Sequence, residues 1–219
     1  RAGKETPRER TPSLDEVREI WAQTFKIGAL WGPFLRMCIL TGRRSRKDIL
    51  EMRWSWIDFE RCRYEIPKLK NGRPHIVHLS APAMVELHSL LEQQAAAPCP
   101  FVFSTTSRTS ATGVSKAKTR IDALITTARI EMGNSLPFEH WVLHDLRRAQ
   151  ATALAEAGYD EGVVDRIQNH VAASSRTSAV AGVYNKAQKL PDRVAALDAW
   201  SSMVTCENSK VVNLFPAVS

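Results

Sequence analysis

The sequence predicts an α+β fold, mainly α-helical, with one small three-stranded antiparallel sheet. Three observations predict it. Most of the 219 residues fall into apolar patterns of helical period with start and stop signals at their ends. Three short extended runs, WSWIDF (54–59), RYEIP (63–67) and HIVHLS (75–80), stand together between helical stretches, and Asn71-Gly72 marks a tight hairpin turn between the last two. A composition of 44% hydrophobic and 24% charged residues is that of a globular chain with enough apolar side chains for a sizeable core.

Residues 1–12 mix Arg, Lys, Glu, Thr and Pro without periodicity and read as a linker whose upstream partner has been cut away. Ser13-Leu14-Asp15-Glu16 is a capping box, and Val17, Ile20, Trp21 and Phe25 share one face of the helix it starts. A second, buried helix follows over 30–40, with Pro33 near its start and Thr41-Gly42 as its stop. Behind that stop come Arg43-Arg44-Ser45-Arg46-Lys47 and a short helical pattern of Asp48, Ile49, Leu50 and Met52. The hairpin tip carries Lys68, Lys70 and Arg73. Ser80 caps a helix that the Ala/Pro stretch at 95–100 breaks, and residues 104–113 are loop.

A helix over 115–130 has one basic side made by Lys116, Lys118, Arg120 and Arg129. His144-Asp145-Leu146-Arg147-Arg148 opens an alanine-rich helix, and Asp160 caps a shorter one ending at His170. A stretch of small residues then carries Tyr184. The last helix presents Val194, Ala196, Leu197 and Trp200 as an apolar stripe that packs in cis or on a neighbouring molecule, and the tail ends in a strand-like VVNLF.

Thirty Lys+Arg against 23 Asp+Glu give a net charge of +7, which suits a polyanionic partner. Cys38, Cys62, Cys99 and Cys206 are far apart with no CxxC pair, so free thiols in a reducing compartment are expected. No apolar run reaches membrane-spanning length, and the six histidines show no HExxH-like ligand spacing that would suggest a metal hydrolase. Residues three apart share a helix face, so His144 and Arg147 at a helix start form a phosphate-binding arrangement. Arg147 offers a planar fork, and His144 can donate or accept a proton.

Taken together, TGRR near the front, KLKNGR on a hairpin, HDLRR, a later NH and then VYN resemble the catalytic domain of tyrosine recombinases, the phage integrase family. The resemblance spans nearly the whole chain. It implies a tyrosine recombinase catalytic-domain fold over 13–204 that clasps one face of double-stranded DNA, with 1–12 leading from a missing N-terminal core-binding domain and 205–219 a C-terminal tail. Carried over by motif, it implies Arg44 as the first arginine, Lys70 as acid on the leaving oxygen, and His144 with Arg147 as the His-x-x-Arg pair. His170 would orient the phosphate and Tyr184 would be the nucleophile. The match is one residue out of register. Counted from Gly42 the first arginine falls on Arg44, and counted back from Met52 it falls on Ser45, so Arg43 and Arg46 stand as alternatives. Asp48 is the supporting acid on the same terms.

Such an enzyme is a site-specific recombinase or integrase that cleaves and rejoins DNA through a 3′-phosphotyrosyl intermediate. It needs no cofactor or metal, since two arginines and histidine can stabilise charge on the phosphate oxygens. The expected assembly is a homotetramer on the synapse and a monomer as an isolated fragment; the expected location is the cytoplasm, associated with a bacterial nucleoid. The alternatives are type IB topoisomerase-like relaxation, which uses the same intermediate, and a noncatalytic DNA-binding relative.

Overall fold

An almost wholly apolar helix has no face suited to water, and helix α2 (Trp31–Thr41) is buried at every position from Gly32 to Thr41. The computed structural model describes residues 10–67, 74–134, 136–169 and 189–205. The Asn71-Gly72 turn with Lys70, the segment with His170 and Tyr184, and the VVNLF tail lie outside the described residues. Helix α1 (Leu14–Thr24) packs on α2 and opens with the expected capping box. Ser13 Oγ accepts the Glu16 N–H at 3.2 Å, and the Glu16 carboxylate accepts the Ser13 N–H at 2.8 Å. Val17, Ile20 and Trp21 form its inward stripe. Phe25 departs from that stripe: it is 58% exposed, edge-on to Trp21 and under the Arg36 guanidinium, whose charge is met by both Glu86 oxygens.

The sheet is antiparallel in the order β1 (Ile57–Asp58), β2 (Arg63–Ile66), β3 (His75–His78). Its first strand is shorter than the sequence pattern suggested. Trp54–Trp56 form a 3₁₀ turn, because the chain at 52–54 hydrogen-bonds to 100–102 instead: Met52 O accepts from Val102 N–H at 2.9 Å, and Trp54 N–H donates to Pro100 O at 3.2 Å. Strand alternation turns Tyr64, Ile66, His75 and Val77 inward, with Tyr64 opposite Val77 and Ile66 opposite His75.

Helices α3 (Ala81–Gln94), α4 (Val114–Glu131), α5 (Leu143–Glu156), α6 (Glu161–Gln168) and α7 (Leu190–Thr205) complete the described fold. The last of these docks in cis on α1, α2, α5 and α6. It buries Ala196, Leu197, Trp200 and Val204, and Trp200 Nε1–H donates to the Ile39 carbonyl at 2.8 Å. Val194, from the expected stripe, stays 36% exposed. Among the described residues no helix is long and apolar enough to cross a membrane.

Candidate active site

The site is built where α2 ends. Gly42 caps α2 in the left-handed region, with φ at +59°, and a Cβ there would run into the side-chain amide of the fully buried Gln150. Both the backbone angle and the packing therefore exclude a side chain. The chain then enters a π-helical turn, Ser45–Leu50, in which the Arg44 carbonyl accepts from Asp48 N–H at 2.9 Å and from Ile49 N–H at 3.2 Å. A π turn holds one more residue than an α turn of the same span. The extra residue seen in the sequence register is taken up here, between Gly42 and Met52.

Asp48, 1% exposed, is the hub of this turn. Arg43 Nη2 donates to it at 2.7 Å, Arg44 Nη2 at 2.9 Å and Arg44 Nε at 3.1 Å. The two arginines differ in access: the Arg43 side chain is 1% exposed and that of Arg44 is 37%. Arg46 points to solvent and is exposed. Arg43 also donates to the Ile167 carbonyl at 2.9 Å, which ties the turn to the end of α6.

Arg147 reaches the same place from α5. Its Nη1 donates to the Gly42 carbonyl at 3.1 Å and its Nη2 to the Gln168 carbonyl, while Gln168 Nε2 donates back to the Arg147 carbonyl at 2.6 Å. The start of α5 is held by Asp145, whose carboxylate accepts the Val142 N–H at 2.9 Å. His144, one turn before Arg147 on the same helix, is exposed where Arg147 is buried. From the sheet, the Tyr64 hydroxyl is buried beside Arg43.

The electrostatics follow from burial. His75 is pushed down to about 2, first by burial and then by Arg43, Arg193 and Arg147, so it is neutral at pH 7. Burial, and the repulsion of Arg43, bring Arg147 and Arg193 down to about 10, still well above neutrality. Burial likewise raises the Tyr64 hydroxyl. Arg193 joins the cluster from α7 by donating to the Ile76 carbonyl. Arg43, Arg44 and Arg147 gather around the buried carboxylate of Asp48, with Arg193 close to Arg43, so positive charge is in excess there and favours an anion. Among the described residues no group of three or more His, Cys, Asp or Glu side chains is placed to hold a metal.

The sequence profile of the phage integrase family matches residues 15–189. The chain belongs to the phage integrase family. Among curated protein sequences none matches. Solved structures share the fold. XerH site-specific recombinase bound to its difH substrate is 20% identical with a TM-score of 0.60, over 80% of this chain and 52% of that one. XerA recombinase is 16% identical with a TM-score of 0.61, over 94% and 66%. The lambda integrase catalytic core is 20% identical with a TM-score of 0.51, over 74% and 96%. This integrase-family chain thus spans about half to two thirds of the XerH and XerA chains and nearly the whole of the lambda catalytic core. The expected fold, a tyrosine recombinase catalytic domain with a small three-stranded sheet, is the one observed.

Within the integrase fold, Arg44 and Arg147 lie close together beside Asp48, and His144 is exposed one turn before Arg147 on α5. Lys70, His170 and Tyr184 lie outside the described residues. Sequence reasoning missed the buried partners Gln168, Tyr64, His75 and Arg193. A signal existed for His75, since the alternation of HIVHLS puts it on the face of Val77. None existed for Gln168 and Arg193, whose partners are distant in sequence.

Proposed function

We propose that this chain is the catalytic part of a site-specific DNA recombinase that breaks and rejoins strands through a 3′-phosphotyrosyl link. The observation that carries the reading is the convergence of Arg44 and Arg147, from the ends of α2 and α5, on one cation-rich pocket in this family's fold. In it the scissile phosphodiester gains negative charge on its nonbridging oxygens as Tyr184 attacks phosphorus. Arg44 and Arg147 stabilise that charge, and such preorganised donors act where charge develops. Lys70 protonates the leaving 5′ oxygen, His144 assists proton transfer, and His170 orients the phosphate. The bond energy stays in the phosphotyrosyl link, so rejoining needs no nucleotide triphosphate.

The partner is double-stranded DNA, and two sites paired by a homotetramer would exchange strands in succession. An enzyme acting on mobile or chromosomal DNA of a bacterium works in its cytoplasm. The experiment is a nicked suicide substrate in which the released fragment cannot be religated. Wild-type full-length protein should accumulate as a denaturant-resistant covalent adduct, and Tyr184→Phe should form none while still binding DNA. An adduct on Tyr184→Phe would remove Tyr184 as the nucleophile and turn the search to Tyr64 and Tyr159; the buried Tyr64 is poorly placed for that role.

A further inference from the structure

We infer that Arg43 is a positioning residue of this site. It locks the C-terminal end of α6, which leads directly into His170, onto the turn that bears Arg44, and it neutralises Asp48 so that Arg44 is left to meet the phosphate. The inference rests on the roles proposed above for Arg44 and His170.

Two sets of bonds carry it. The last carbonyls of a helix have no N–H partner within the helix and need one from outside. At the end of α6, Ile167 O receives Arg43 Nη1–H at 2.9 Å and Gln168 O receives Arg147, while Asn169 ends the helix in the left-handed region at φ +53°. Two guanidiniums, from residues 124 and 21 positions away in sequence, thus cap one helix end. Cations at a helix C-terminus are favoured by the helix dipole as well as by the bonds. In the sequence His170 follows Asn169 directly.

The second set concerns charge. Asp48 is fully buried and bonded to both Arg43 and Arg44. With Arg43 sealed against it, the Asp48 charge is cancelled inside the protein, and the partly exposed Arg44 contributes a net positive charge to the pocket. Without Arg43, Asp48 would hold Arg44 as its sole arginine partner in this turn and compete with the phosphate for it. A lysine cannot replace Arg43 fully, because one ammonium cannot present the fixed fork that meets Ile167 O and Asp48 Oδ2 together.

The test uses full-length protein carrying Arg43→Met, Arg43→Lys or Arg44→Ala. Amide hydrogen exchange reads the lock without any need for activity. Arg43→Met should speed exchange in the last turn of α6 by about tenfold or more relative to α1, and Arg44→Ala should leave it unchanged. Adduct formation is then compared on suicide substrates with an ordinary or a methylphosphonate group at the scissile position. The methyl group removes the charge that a contacting arginine neutralises, so activity lost in Arg44→Ala should return on it, and activity lost in Arg43→Met should not. Arg43→Lys should be intermediate in both measurements, and it replaces Arg43→Met if that variant does not fold. Methylphosphonate rescue of an Arg43 variant would make Arg43 a phosphate contact and overturn the inference, as would unchanged exchange at the end of α6. Absence of adduct from wild type would overturn the cleavage reading instead, with the lock still decided by exchange.

Discussion

Helix α4 and the turn after α2 carry four basic side chains each, spread over 18 residues in the helix and packed into five in the turn, and the structure uses them in opposite ways. On α4, Lys118 Nζ donates to Asp122 at 2.6 Å and lies 4.1 Å from the centre of the Trp141 ring; Arg129 pairs with both Glu19 oxygens at 2.6 and 2.9 Å. Half of the basic side expected there is thus spent inside the fold, leaving Lys116 and Arg120 exposed. In the turn, Arg43 and Arg44 share one carboxylate, and Arg147 joins them with carbonyl oxygens as partners. Carbonyls satisfy hydrogen bonds without cancelling charge. What distinguishes a working cation cluster from a structural one is the ratio of carboxylates to guanidiniums around it, which a count of Lys and Arg does not reveal.

The uneven balance of charge in the turn bears most directly on Arg44. Arg44→Ala should lower single-turnover cleavage about 10²–10³-fold, the usual scale for one lost donor to a charged transition state, with a much smaller change in DNA affinity. An equal loss of affinity and rate would make Arg44 a binding contact no different in kind from those on α4.

The excess of positive charge around the turn also reaches His75, where pH reads it out. Its folded-state value, about 2, lies below the unfolded value near 6.5, so the stability linked to the neutral ring is complete above about pH 6.5 and is lost as the pH falls. Between pH 7 and 5 this linkage costs about 2 kcal/mol, or about 4–8 °C in Tm for a chain of this size. His75→Leu, which has no proton to take up, should show a flatter Tm-against-pH curve over that range. Parallel curves would mean that neither burial nor the neighbouring arginines hold His75 neutral.

The α4 side should give the smallest effects. Arg129→Ala removes a half-buried ion pair and should cost about 1 kcal/mol in urea unfolding while leaving cleavage intact. Lys116→Ala and Arg120→Ala should each reduce the salt slope of DNA binding by about 0.9 if the residue meets a phosphate, with no effect on stability. A flat response at both positions would remove α4 from the DNA face.

Features that depend on neighbouring residues were legible in the sequence. The capping box at Ser13 and the stop at Gly42 both follow from local backbone chemistry. The π turn was half legible: it showed as a register one residue too long, but not as the Asp48 hub that the extra residue creates. The acceptors of Arg43 and Arg147 were not legible, because Ile167 and Gln168 belong to another helix. His144 and Arg147 share α5 as the spacing required, yet at a helix end one turn is enough to put one residue in solvent and the other in the core.

Helix α6 is fastened at both ends. Asn169 caps one end, and at the other the N-cap Asp160 accepts a bond from Lys189 Nζ at 2.8 Å, so Asn169 and Lys189 are held at opposite ends of one helix about 12 Å long. On the roles proposed above, Tyr184 stands five residues before one of these points and His170 one residue after the other, so the nucleophile and the phosphate-orienting histidine are counted from opposite ends of the same short helix.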